Sequence, residues 1–152
     1  MVINEIKGDM FANQPVNMYY VQCISADFKM GKGIATEFNK RFNTKRKLIR
    51  KYNNYIKKWD SMPDNTGGFC ILEDNTFNLI TKRNYWNKPT IDTLTYALSE
   101  MKKTLAERED VKVISMPKIG CGLDRLNWQD VKKQIEKVFW DNSGLVINIY
   151  EL

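Results

Sequence analysis

The sequence predicts an α/β fold in which a partly parallel sheet lies between helices. Three observations carry this. Strand-like and helix-like stretches alternate along the chain, the pattern of strand–helix–strand units. Two strand-like stretches run into glycine-bearing turns that open into helices: residues 19–24 into Lys29-Met30-Gly31-Lys32-Gly33-Ile34-Ala35, and residues 111–115 into Met116-Pro117-Lys118-Ile119-Gly120-Cys121-Gly122-Leu123-Asp124. Finally, Ile91, Leu94, Leu98, Met101 and Leu105 form an apolar stripe at helical spacing.

Taken in order, residues 2–7 alternate weakly and read as a first strand. Residues 18–24, rich in aromatic and β-branched side chains, read as a second. Ile34, Phe38 and Phe42 lie four apart and predict a helix over residues 34–42. Residues 45–59 continue as one basic helical segment. Pro63 and the Gly67-Gly68 pair make residues 61–68 a loop. Residues 69–72 and 77–81 read as a hairpin around Glu73-Asp74-Asn75. Thr90 caps the helix that carries the long apolar stripe. A strand over residues 111–115 follows. Asn127 caps the next helix, whose Val131, Ile135, Val138 and Phe139 face the core, and residues 145–150 form the last strand.

The chain has 152 residues, 43% of them hydrophobic and 28% charged, as in ordinary globular proteins. That length suits a single domain over residues 1–152 with a core of its own. No apolar run approaches the roughly 18 residues of a membrane span. The N-terminal stretch lacks the long apolar core of a secretion signal. A cytoplasmic monomer with no membrane partner is expected. Cys23, Cys70 and Cys121 have no paired spacing and read as free thiols, so no disulfide framework, metal or cofactor is expected. There is no histidine. This removes the usual general base and every histidine-based triad. The chemistry would have to run on Lys, Asp, Glu, Tyr, Cys or a group of the substrate. A net charge of +6 favours anionic ligands.

Several residues have a functional and a structural reading. Asp9, after Gly8 at the end of the first strand, can accept hydrogen bonds from an adenine amino group or simply form a turn. Gly31 and Gly33 let the backbone approach a phosphate, with Ile34 opening a helix toward the anion; an ordinary strand–helix turn has the same residues. Gly120 and Gly122 carry the same two readings, and two such turns suggest a clamp on a diphosphate. Ser25 and Asp27 are candidates for sugar hydroxyls. Lys82 ends an apolar strand beside Arg83. Burial and a neighbouring cation would both favour a neutral amine there, a nucleophile that forms Schiff bases; a solvated loop lysine is the alternative. Asp124 is either its acid–base partner or a helix-entry acid. The basic residues between Lys40 and Lys58, interleaved with Tyr52, Tyr55 and Trp59, either track a nucleic-acid backbone with aromatic stacking or form a solvated helix face.

Several blocks together resemble a macrodomain: Gly8-Asp9-Met10-Phe11, Cys23-Ile24-Ser25-Ala26-Asp27, Met30-Gly31-Lys32-Gly33-Ile34-Ala35, Leu79-Ile80-Thr81-Lys82, Lys88-Pro89-Thr90, and Ser115 through Gly120-Cys121-Gly122-Leu123-Asp124-Arg125-Leu126. They are similar in particular to the terminal ADP-ribose protein glycohydrolase branch, the ALC1-like macrodomains. The upstream Thr-Lys with Gly-Cys-Gly-Leu-Asp-Arg-Leu marks that branch. The likeness runs in order to Ile149-Tyr150-Glu151-Leu152.

The resemblance implies a three-layer α/β/α fold with a central mixed sheet of about six strands. It also implies an ADP-ribose cleft at the strand ends. Asp9 and Met10 would lie at the adenine, with Phe11, Tyr150 and Leu152 nearby. Ser25, Gly31, Lys32, Gly33 and Ile34 would line the diphosphate and distal ribose from one side; Ile119, Gly120, Cys121, Gly122 and Leu123 would line them from the other. Lys82 and Asp124 would be catalytic. The implied activity is hydrolysis that removes mono-ADP-ribose from protein carboxylates through a lysine–ADP-ribose Schiff base, with deacetylation of O-acetyl-ADP-ribose chemically close. The implied partners are ADP-ribose and ADP-ribosylated protein or nucleic acid. Three alternatives stay open: cleavage of base-linked ADP-ribose on DNA, phosphatase action on ADP-ribose 1″-phosphate, and a reader that binds ADP-ribose without cleaving it.

Overall fold

The computed structural model describes residues 1–63 and 67–152. Residues 64–66, within the loop expected over residues 61–68, lie outside the described residues. Six strands form one sheet in the order β1-β6-β5-β2-β4-β3. They are β1 (Val2–Lys7), β2 (Tyr19–Ser25), β3 (Phe69–Glu73), β4 (Thr76–Lys82), β5 (Val113–Pro117) and β6 (Val146–Glu151). β3 pairs antiparallel with β4, and every other pairing is parallel. The mixed α/β sheet expected from the alternating pattern is therefore present.

Helices cover both faces. α4 (Ile91–Ala106) and α5 (Trp128–Phe139) pack on one face. There Leu94, Leu98, Met101, Ile135 and Phe139 bury against Val21, Leu79, Met116 and Ile147. α1 (Ile34–Phe42), α2 (Thr44–Lys51) and α3 (Tyr55–Asp60) cover the other. Their Phe38 meets Tyr20 and Met10, while Leu48 meets Ile24, Ile71 and Ile80. Adjacent strand residues such as Leu79 and Ile80 feed opposite cores because side chains alternate along a strand.

Local chemistry explains the boundaries. Thr90 caps α4 by accepting from the Thr93 amide at 3.1 Å while the Thr93 hydroxyl accepts from the Thr90 amide at 3.0 Å. The Asn127 side chain caps α5 by accepting from the Asp130 amide at 3.2 Å. Asp74 and Asn75 both take left-handed conformations, which suits a tight β3–β4 hairpin. The basic stretch expected as one helix is two. It breaks over residues 52–54, where Asn54 turns left-handed at φ 62° and resets the axis. The strand expected at residue 111 begins at Val113, because the Val111 amide is spent on the Arg108 carbonyl at 3.3 Å.

The parallel register brings the C-terminal ends of β1, β6, β5, β2 and β4 to one edge. β2 and β5 are neighbours, yet the chain leaves β2 into α1 on one face and β5 into α5 on the other. This is the point where open α/β sheets leave a crevice between two departing loops.

Candidate active site

Both glycine turns lie at that crevice and touch across it. Gly33 has φ 63° and ψ −152°, a conformation essentially confined to glycine. A β-carbon built on it would lie 3.3 Å from Leu123 Cδ1 of the opposite turn. Gly120 is likewise left-handed at φ 71°, and its carbonyl accepts from the Leu126 amide at 2.8 Å, closing the second turn. Among the described residues, the amides of Gly31, Lys32, Gly33 and Ile34 have no protein acceptor, nor do those of Gly122, Leu123 and Asp124. Two clusters of unspent N–H donors thus flank one opening, one of them at the positive end of α1. Such donors suit a phosphate.

Lys82 and Asp124 meet between these turns. Lys82 Nζ donates to Asp124 Oδ1 at 2.7 Å, and each side chain is only 14% exposed. The residues are 42 positions apart in sequence. Lys82 arrives on the last position of β4 and Asp124 on the turn after β5. Arg83 does not press on the amine as expected. Its guanidinium turns away and binds Asp60 at 2.7 and 2.8 Å.

Two braces hold the loops. Asp27 accepts from the Ser25 hydroxyl, from the Lys29 amide at 3.0 Å and from the Tyr85 amide at 2.9 Å. It ties the loop after β2 to the loop after β4. Lys88 Nζ donates to the Leu123 carbonyl at 2.6 Å, immediately before Asp124. Neither brace was assigned from the residues alone. Ser25 and Asp27, expected at sugar hydroxyls, spend their side-chain groups on each other.

At the far end of the cleft, Asp9 accepts from the Phe11 amide at 2.9 Å and remains exposed. Phe11 packs at 5.2 Å from Tyr20 and 5.1 Å from Phe38, with the Arg41 guanidinium 4.3 Å over its ring. The Tyr150 hydroxyl accepts from Gln14 at 3.0 Å and its ring joins the same cluster. Met10 and Ile119 are buried at 4% and 2% exposure, so they can offer a ligand only backbone. Lys32, Ile34, Leu123 and Leu152 are exposed.

The thiols are poor nucleophiles. Burial pushes Cys23 up strongly, and the nearby Asp124 charge adds to the effect. Burial raises Cys121 to about 11 and Cys70 to about 12. At neutral pH all three stay protonated. In a chain without histidine, the Lys82–Asp124 pair is the group at this cleft equipped for nucleophilic and proton-transfer chemistry.

Comparison with known proteins shows the family and the fold. ADP-ribose glycohydrolase OARD1 of Bos taurus is 38% identical over 153 aligned positions, covering 99% of this chain and 91% of that protein. The chain belongs to the macrodomain family. The macrodomain of Thermus aquaticus DarG superposes with a TM-score of 0.77 at 20% identity, covering 99% of each chain. The present chain is also 24% identical to a DNA ADP-ribosyl glycohydrolase of Thermus aquaticus, over 80% of the present chain and 34% of that protein. No family model matches.

The Asp27 brace has a pH signature. Burial opposes its carboxylate, but the donors from Ser25, Lys29 and Tyr85 outweigh burial and hold the carboxyl below its ordinary value. A carboxyl lowered in the folded state stabilises the fold fully above its unfolded value of about 3.9, and loses that contribution as pH falls through the folded value. Asp27→Asn should therefore lower stability by about 1 kcal/mol at neutral pH, and by much less in acid, where the wild-type carboxyl is also protonated. Urea unfolding at both pH values measures this. An equal loss at both would show that the charge of Asp27 is not what holds the loops.

Proposed function

We propose that this macrodomain removes mono-ADP-ribose from modified macromolecules by hydrolysis at C1″ of the distal ribose. The observation that carries the reading is the 2.7 Å bond between Lys82 and Asp124, largely shielded from solvent between two clusters of unspent backbone amides. The amides take the diphosphate, which fixes the distal ribose against the pair and supplies orientation. Asp9 takes the adenine end.

The steps balance on two residues. The proton on Lys82 Nζ passes along its hydrogen bond to Asp124, which frees the nitrogen lone pair. That nitrogen attacks C1″; the N–C bond forms, and the bond from C1″ to the leaving oxygen breaks with its electron pair. The attached nitrogen, now a secondary ammonium, returns a proton to Asp124 as Asp124 delivers its own to the ring oxygen; the freed lone pair forms the C=N bond and the sugar ring opens to a protonated Schiff base. Water adds to the C=N carbon and its proton moves to the nitrogen. The C–N bond then breaks as the new hydroxyl passes its proton to the departing amine and becomes a carbonyl, so ring-opened ADP-ribose leaves and recloses, Lys82 is restored as the ammonium, and Asp124 gives its proton to solvent. A glutamate or aspartate ester suits this site because a carboxylate leaves as a stable anion and needs no second acid. A reader that never cleaves its ligand has no use for a lysine–carboxylate pair held at its sugar end.

Borohydride reduction during turnover of a carboxylate-linked ADP-ribosyl peptide is expected to trap ADP-ribose on Lys82. Lys82→Ala should lose turnover by about 10³-fold or more while calorimetry shows ADP-ribose still bound. An adduct on another residue, or full activity in Lys82→Ala, would sink the mechanism.

A second reading, cleavage of base-linked ADP-ribose on DNA, rests on a specific observation. Tyr85 and Trp86 are 47% and 64% exposed, and their rings meet at 5.1 Å. They cap the loop that starts at Lys82 and ends at the Lys88 brace, and Lys29, from the loop after β2, holds its Nζ 4.7 Å over Tyr85. Exposed rings beside lysines suit stacking on a nucleobase, and the Thermus aquaticus likeness points the same way. Replacing both rings by alanine should lower kcat/KM by about tenfold on a base-linked ADP-ribosyl oligonucleotide, with turnover of the carboxylate-linked peptide nearly unchanged. Equal losses on both substrates would remove these rings from any choice of leaving group.

A further inference from the structure

The positive charge is not spread over the molecule. Between Phe38 and Trp59 the chain has nine basic and no acidic residues. Elsewhere fifteen basic residues face eighteen acidic ones. The net charge of +6 is thus owed wholly to α1–α3.

The structure divides this basic stretch into two parts. Its aromatic residues are structural. Tyr55 and Trp59 pack edge-on against Phe69 at 5.7 and 6.1 Å, and Tyr52 packs on Tyr55. They are not free to stack on bases. Its cations are otherwise placed. Lys47 and Lys51 pair with Asp74 and Glu73. Lys45, Arg46 and Arg50 have no acidic partner among the described residues. Together with Asn39, Asn43 and the half-exposed Ile49, they line a groove of about 440 Å³ between α1 and α2.

Helix electrostatics argue against a merely solvated face. The positive end of a helix favours acids and disfavours cations. α1, α4 and α5 obey, with Glu37, Asp92 and Asp130 in their first turns. The first turns of α2 and of the short α3 hold no acid, and that of α2 carries Lys45, Arg46 and Lys47 instead. This arrangement costs stability unless an anion sits over it.

The groove is also far from the cleft. Asp74 and Glu73, which hold α2, lie beside the start of β4, while Lys82 lies at its end. Seven residues of strand separate the two edges by about 20 Å. We propose that the α1–α2 groove binds the phosphate backbone of a nucleic-acid duplex, at a site separate from the Lys82–Asp124 cleft. Phosphates alone are read there, because no stacking ring is available, and a duplex presents them most densely, about one charge per 1.7 Å of axis.

Fluorescence anisotropy with a labelled, unmodified DNA duplex tests this on the full chain. The Lys45→Gln/Arg46→Gln/Arg50→Gln variant should weaken binding by about tenfold or more at moderate salt. It should also flatten the plot of log affinity against log salt by about 2 to 3. A control with the same charge change on α4 and α5, Lys103→Gln/Lys133→Gln/Lys137→Gln, should bind nearly as the wild type, and circular dichroism should show both variants folded. ADP-ribose affinity should be the same in all three proteins. The proposal is overturned if the wild type does not bind the duplex, if both triple variants lose equally, or if free ADP-ribose competes the duplex off. Tighter binding to a single strand than to the duplex would also overturn it, as would equal binding to phosphatidylserine vesicles with the same loss in the variant.

Discussion

β2 is hydrogen-bonded to β5 on one side and to β4 on the other, and all three strands run in the same direction. Their C-terminal ends therefore face the same solvent. The loop after β2 supplies Gly33 and Asp27, the end of β4 supplies Lys82, and the loop after β5 supplies Leu123 and Asp124. A one-residue slip of any of these strands would turn its side chains to the opposite face and separate Lys82 from Asp124. The buried residues of β2, β4 and β5 set that register by committing alternate side chains to two different cores.

Much of the remaining structure at this edge keeps the three loops from drifting. Asp27 joins the first loop to the loop after β4, and Lys88 joins that loop to the turn holding Asp124. The two glycine turns then touch at Gly33 and Leu123. A cleft braced in this way presents its unspent amides in place before a ligand arrives, so little ordering is left for binding to supply.

How far the sequence could be read depended on the range of the interaction. The β3–β4 hairpin and α4 were legible because Asp74-Asn75 and the Thr90–Thr93 capping box act within a few residues. The two glycine turns were legible as strand–helix turns for the same reason, and the resemblance placed Lys82 with Asp124. The start of β5 was two residues off because periodicity does not reveal that the Val111 amide is engaged by Arg108. The break over residues 52–54 was hidden by the uniformly basic composition around it. The bracing role of Asp27 was missed for a different reason: its partner Tyr85 is 58 residues away, and nothing local distinguishes a bracing acid from one that meets a sugar. Arg83 was misjudged likewise, because Asp60 draws its charge away.

The central claim is that the unspent amides hold a diphosphate so that the distal ribose meets Lys82. A crystal structure of the protein with ADP-ribose tests it most directly. The account predicts phosphate oxygens within hydrogen-bond reach, about 3 Å, of amides in both turns, residues 31–34 and 122–124. It also predicts adenine at Asp9 and C1″ beside Lys82 Nζ. A ligand bound in the reverse direction, or held with the amides of either turn still unengaged, would contradict it.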